Sequence, residues 1–308
     1  MPLPSSGTLT LNDIQNEFGG SNPISLSEYY RGGSFVISSD RNALIPTSGA
    51  ISISNFYGSS SRSTIEVVIT ASTSNFDVYS VVSSNPQYFP GKTDVNVSIN
   101  NGVSLGSSST DTYALSVPSQ FSPTDTVTIL NQGTILGAGG NGGNGGSATR
   151  RFPPANPTVT AGTPGLGGGS AIYVNRPTTI TNLNVISGGG GGGGGSGGRI
   201  DGGPVTRVFA GAGGGGGLGY SVAGSGGTAG TATNPLGPVT GASPGSSGTS
   251  SSGGSGGSPG GGPGGGYGAA GSAGSAGTGG TGGAAGNYIV GNAFVTWPAT
   301  GTRYGGVA

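Results

Sequence analysis

From Gly262 to Gly286 every third residue is glycine, without a miss. A period of three is neither the 3.6 of an α-helix nor the 2 of a β-strand; it is the period of an extended, left-handed threefold helix. One edge of such a helix carries no side chain, so a second backbone can approach it closely enough to hydrogen-bond. The spacing predicts packed backbone.

Shorter pieces repeat the signature. Gly139, Gly142 and Gly145 keep the period, as do Gly224, Gly227 and Gly230, and Gly188 to Gly195 is an unbroken run. Of the chain's 73 glycines, 58 lie between Gly137 and Gly286. Composition alone reads as a flexible linker. Strict spacing and regular interruption by segments rich in side chains argue against that reading.

Apolar residues are 31 % of the 308 and concentrate before Gly137. The first 136 residues can bury a modest core, whereas the glycine-rich half cannot. Glycine loses more backbone freedom on folding than any other residue. A folded glycine-rich half must therefore be held by many backbone hydrogen bonds, at roughly 1 kcal/mol net each. Formal net charge is zero and 6 % of residues are charged, so no basic stripe for nucleic acid and no polybasic tract for membranes exists. Cysteine is absent, which rules out disulfides and thiolate metal sites. No secretory signal is seen at the start and no stretch is apolar enough for membrane insertion. A soluble protein made in a cytoplasm is expected.

Four segments follow from the pattern. Residues 1–62 carry a short helix capped at Asn12, with Ile14 and Phe18 on one face and Gly19 as its stop, then a Ser25/Glu28 capping box before Tyr29 and Tyr30. Pro4, Gly7, Leu9, Leu11 and Ile14 recur as Pro46, Gly49, Ile51, Ile53 and Phe56, a duplicated unit. Residues 63–136 alternate, with strands expected at Ile65 to Thr70, Phe76 to Val82, Asp94 to Ile99, Thr112 to Val117 and Thr126 to Leu130, and they read as a small β-sandwich. Residues 137–286 are the glycine-rich region, and 287–308 supply closing strands. A second repeat crosses these boundaries: Thr128, Ile129, Asn131, Ile135 and Gly137 recur as Thr179, Ile180, Asn182, Ile186 and Gly188.

Catalysis is poorly supplied, because histidine and cysteine are both absent. The carboxylates Asp77, Asp94, Asp111 and Asp125 read as turn acids of a β domain sooner than as a glycosidase pair or calcium ligands. Gly-x-Gly-x-x-Gly strings lack the strand before and helix after that a phosphate-binding loop needs. No enzyme, cofactor or metal is expected.

The strings Leu11-Asn12-Asp13-Ile14-Gln15, Asn22 to Tyr30 and Ile51 to Gly58 resemble segments of tailed-bacteriophage structural proteins. The run from Asn131 to Gly143, with Tyr288-Ile-Val-Gly-Asn and Val295-Thr-Trp, is similar to the glycine-rich domain of phage tail-fibre and tail-tip adhesins. That resemblance implies a sandwich of polyglycine-II helices whose end loops bind the bacterial surface. The expected fold is mainly β and irregular: a helical docking module, a β-sandwich, then a bundle of polyglycine-II helices.

The segments 147–163, 199–210 and 231–247 interrupt the glycine and are the expected binding loops. They and their surroundings bring Arg150, Arg151, Phe152, Arg199, Asp201, Arg207, Phe209 and Tyr220 into a region otherwise nearly free of large or charged side chains. Arginine forks and aromatic faces suit phosphorylated glycans, or stacking on sugars and protein loops. Virion docking is expected through Leu11, Ile14, Phe18, Tyr29, Tyr30, Phe56 and Tyr57. The implied partners are other tail or fibre proteins and a host receptor, glycan or outer-membrane protein, with a homotrimer as one possible state. The implied location is the virion, after assembly in the host cytoplasm. Rival readings are a structural spacer or decoration protein without receptor binding, an ice-binding protein, and a collagen-like helix, which the short Gly-x-x runs and scarce proline disfavour.

Overall fold

The computed structural model describes residues 2–152, 156–202 and 206–308. The chain divides into two compact units, each discontinuous in sequence. One comprises Met1–Val68, Tyr79–Ser98 and Ser119–Ile129, the other Ile69–Val78, Ile99–Pro118 and Leu130–Ala308.

In the first unit, the helix Leu11–Phe18 is capped by Thr10, not Asn12: Thr10 and Asp13 exchange the reciprocal bonds of a capping box. The same box recurs at Ser25/Glu28 and again at Ser52/Asn55. The visible duplication is thus part of a triplication. The apolar residue after each box, Ile14, Tyr29 and Phe56, is fully enclosed. The rings of Phe18, Tyr29 and Phe56 form a triangle with centroids 6.2 to 6.4 Å apart. The next residue of each motif then donates to a glycine carbonyl ahead of the following motif, and the cycle closes: Gln15 to Gly20, Tyr30 to Gly49, Tyr57 to Gly7. A module of three quasi-equivalent corners results.

This unit also holds most of the strand Ser63–Ile69, which alternates buried and outward residues, and of Thr93–Ile99, which does the same. Arg62 ties them: its Nε donates to Asp94 at 2.8 Å, and its Nη2 donates to the Thr93 and Thr124 carbonyls. Partial burial disfavours ionisation of Asp94, but the hydrogen bonds from Arg62 and Thr126 and the arginine charge outweigh it and hold the carboxyl below its ordinary value of 3.8. A depressed folded pKa means stability that is present above the unfolded value and is lost as pH falls through the folded one. We expect Asp94→Asn to cost about 1 kcal/mol at neutral pH, a figure kept small by solvent screening, and to flatten the loss of stability below pH 4 in acid titrations of the melting temperature.

Phe76 to Val82 is not a strand throughout. Phe76–Asp77 is extended, but Val78–Ser83 is a helix. Val78 and Val82, four apart, are both buried, so this short apolar run satisfies a helical face as well as a strand.

The strands of 63–136 do not form a self-contained β-sandwich. In the second unit, Thr73–Ser74, Ser104–Gly106, Thr134–Leu136, Val185–Ser187 and Thr302–Tyr304 make one five-stranded sheet, and Phe76–Asp77, Leu115–Val117, Ile172–Val174, Asn287–Val290 and Gly306–Val307 another, each in that chain order or its reverse. The pairings within both are parallel. The chain therefore returns to each sheet once per coil, as in a solenoid. Alternation along a strand signals one buried face and is blind to whether the neighbour runs parallel. The repeat linking 128–137 to 179–188 is the coil repeat: Ile135 pairs with Ile186, and buried Asn131 donates to buried Asn182 at 2.8 Å. The last coil is closed by Arg303, whose guanidinium sits 5.0 Å from the Tyr288 ring centroid and 4.9 Å from that of Trp297.

The glycine-rich stretches leave the solenoid after Leu136 and after Ser187, at the same corner of successive coils. They form extended segments at 137–147, 160–169, 188–198, 211–219, 222–231, 243–249, 252–258, 260–266, 269–276 and 278–287, joined laterally by backbone hydrogen bonds that recur every third residue. Segment 188–198 shows the rule. Its amides donate in rotation to 160–169, to 212–218 and to 269–276, and its carbonyls accept from 140–146, 262–265 and 280–286. Segment 211–219 donates to 140–146, 243–249 and 262–265 and accepts from 190–196, 224–230 and 254–257. Both are buried along their whole length.

A threefold helix surrounded on every side has no free edge for a side chain, and these two segments hold the chain's longest glycine runs, Gly188 to Gly195 and Gly213 to Gly217. Peripheral segments keep one or two edges. In Gly139 to Gly146 the pattern is Gly-Gly-Asn, and Asn141 and Asn144 face outward. The nine-glycine row is not one helix edge, as its spacing suggested. It is cut into three segments by turns at Gly268 and Gly277, both at positive φ, where glycine is required.

Candidate functional site

Hydrogen-bond order gives each segment its direction. Segments 137–147, 188–198, 222–231, 252–258 and 269–276 run one way, and the segments that follow them return. The connections 148–159, 199–210 and 231–242 therefore gather at one end of the lattice, with the tight turns near Pro259 and Gly277. The turn at Tyr220 lies at the opposite end, where Ser221 hydrogen-bonds Ser74. Tyr220 is thereby separated from the other residues expected in the site.

Two small sheets build the shared end. Ala148–Thr149 pairs antiparallel with Thr158–Val159 and parallel with Ala232–Thr233. Arg199–Asp201 pairs antiparallel with Arg207–Phe209, which pairs parallel with Val239–Thr240. The loop 231–242 thus adds a strand to each sheet. Asn234 reinforces the link, its Nδ2 donating to the Thr206 carbonyl at 3.1 Å and the Pro238 carbonyl at 3.2 Å. Parts of two expected loops, residues 153–155 and 203–205, lie outside the described residues.

Arg150 is half-buried and Arg151, Arg199 and Arg207 are exposed. Asp201 is the one carboxylate of these loops; it pairs with Arg199 at 3.4 Å. Arg199 also stacks on Phe209, 4.3 Å from its ring centroid, an attraction of about 0.5–1 kcal/mol at an exposed site. Val208 beneath is fully buried. Phe152 is 60 % exposed, and Val159, Leu236 and Val239 are each near half exposed. Sequence reading missed these three aliphatic residues because single apolar residues in a loop carry no periodicity. That their loops share one end is decided only by the direction of the segments that carry them. The end presents exposed apolar side chains and exposed arginines together on converging loops, residue types suited to binding. Among the described residues, no group of three or more acidic, histidine or cysteine side chains is placed to hold a metal.

Of the residues expected to dock, Ile14, Phe18, Tyr29 and Phe56 are enclosed in the triangular core, while Leu11, Tyr30 and Tyr57 are half-buried around it. They shape the module. Among the described residues, the exposed large aliphatic side chains of the module are Leu44 and Ile53, 68 % and 36 % exposed.

Residues 64–308 match the family model of the phage tail fibre adhesin Gp38. The fold is similar to that in the crystal structure of the gp37–gp38 adhesin tip complex of the bacteriophage S16 long tail fibre, with a TM-score of 0.51 and 25 % identity over 87 % of this chain and 90 % of that one. No curated protein matches the chain. The family match spans more than half of the sequence, and the chain belongs to the phage tail fibre adhesin Gp38 family.

Proposed function

We propose that this tail fibre adhesin docks on its fibre through residues 1–62 and grips the host cell with the loops 148–159, 199–210 and 231–242. The observation that carries the second half is their convergence at one end of a rigid lattice. The reading is one of adhesion, without catalysis, nucleic-acid binding or membrane insertion. The receptor is an acidic surface group, on a glycan or an outer-membrane protein, since four arginines face a single aspartate.

The docking half is supported by the closed cycle of three motifs. One chain with three quasi-equivalent corners fits the axial end of a threefold-symmetric partner, each corner meeting one partner chain, because matching symmetry lets the same contact be made three times. The S16 relative assembles with gp37 in its tip complex. A homotrimer of this chain is not needed to supply the threefold surface. Leu44→Asp with Ile53→Asp changes exposed positions only, so the variant should fold normally yet fail to enter fibres. Normal incorporation would refute the docking assignment.

An arginine-based contact with an acidic receptor weakens as salt shortens the Debye length from about 30 Å at 0.01 M to about 3 Å at 1 M. Adsorption rates measured across that range should fall steadily. A salt-independent rate would shift the recognition from the arginines to the exposed apolar side chains of the loops.

A further inference from the structure

Three Asn-Gly steps occur in the chain: Asn101-Gly102, Asn141-Gly142 and Asn144-Gly145. Such a step is chemically weak, because with no side chain on glycine its backbone nitrogen can swing onto the carboxamide carbon of the preceding asparagine. The reaction needs a free amide nitrogen, a free carboxamide and room to turn.

The glycine lattice denies all three at Asn141 and Asn144. The Asn141 Oδ1 accepts from the Ser225 amide at 2.9 Å, and the Asn144 Oδ1 from the amide and hydroxyl of Thr228 at 3.0 and 3.1 Å. The attacking nitrogens are held as well: Gly142 and Gly145 donate to the Ser225 and Thr228 carbonyls, each at 2.8 Å. Reaction at either site must first break bonds on both groups and bend a segment packed against its neighbours. Asn101 is the opposite case. It is exposed in a turn, and among the described residues neither its side chain nor the Gly102 amide has a hydrogen-bond partner. Gly102 lies at φ +79°, and a Cβ built on it would meet no atom within 4 Å.

We propose that Asn101 is a site of spontaneous deamidation in the folded adhesin, while Asn141 and Asn144 are protected by the lattice. The Gly102 nitrogen bonds to Asn101 Cγ and gives up its proton to solvent, and the Asn101 Nδ2 leaves as ammonia, closing a succinimide. Water then opens the ring at either carbonyl, giving aspartate or isoaspartate. Overall one water is consumed and one ammonia released, with no oxidation or reduction. The product carries a new negative charge on a chain of formal net charge zero, so ion exchange resolves it.

The test incubates the full-length protein at mildly alkaline pH and follows the three sites by proteolysis and mass spectrometry, with a parallel sample in denaturant. Conversion at Asn101 should be at least about tenfold faster than at Asn141 or Asn144 in the native sample, and the three rates should converge on unfolding. Asn101→Gln should remove the acidic charge variant without altering the melting temperature. Equal native rates at all three sites, an inert Asn101, or an acidic variant that persists in Asn101→Gln would each overturn the proposal.

Discussion

Gly192→Ala is expected to abolish folded, soluble protein, although it adds a single methyl group. The position sits in the middle of segment 188–198, and its new Cβ would fall inside the van der Waals envelope of the Asn141 carbonyl. The obstacle is backbone, which cannot rotate aside as a side chain would. Overpacking of an ordinary core costs typically 1–3 kcal/mol. Here relief requires moving a segment whose neighbours on every side are bonded to it, so several hydrogen bonds of about 1 kcal/mol each are lost together. Soluble yield and resistance to proteolysis measure the result. Gly241→Ala is the control, because a Cβ there meets nothing within 4 Å, and it should behave as the parent does. A Gly192→Ala variant that melts within a few degrees of the parent would contradict a close-packed lattice.

Arg151→Ala, Phe152→Ala and Arg207→Ala combined should leave the melting temperature unchanged and reduce host adsorption tenfold or more. All three side chains are exposed at the shared loop end, so their loss opens no cavity. Truncating an aromatic or arginine anchor commonly costs about 2 kcal/mol or more in an interface, and each 1.4 kcal/mol is tenfold in affinity. Phe209 is left intact because Arg199 packs on it and its removal would disturb the loop itself. Tyr220→Ala, at the opposite end of the lattice, should adsorb normally. Full adsorption by the triple variant would place the receptor contact elsewhere and favour a spacer role for the lattice.

Much of the candidate site was legible in the chain. The segments interrupting the glycine do form the loops, and Arg150, Arg151, Phe152, Arg199, Asp201, Arg207 and Phe209 do share one end. Tyr220 was indistinguishable from them by composition. It sits in a short turn, and whether a turn falls at one end or the other depends on how many segments precede it and which way each runs. Apolar character along the chain does not distinguish the buried Phe18, Tyr29 and Phe56 from the outward Leu44 and Ile53, because burial depends on which segments pack together.

The sequence by itself determined that backbone would pack against backbone. A glycine at every third position clears one edge of a threefold helix, and unbroken glycine clears all of them, so Gly188 to Gly195 could only be interior. It also determined the alternating strands and the capping boxes, which depend on residues within a few positions of each other. Tertiary structure alone decided the rest. Parallel coils replaced the expected sandwich because strand alternation records burial and not the direction of a neighbour. Likewise, the nine-glycine row became three segments, and the interrupting loops met at one end, because each segment's neighbours are fixed by hydrogen bonds between residues as far apart as Gly140 and Gly217. No local pattern encodes such a pairing, since one glycine carbonyl is chemically the same as another.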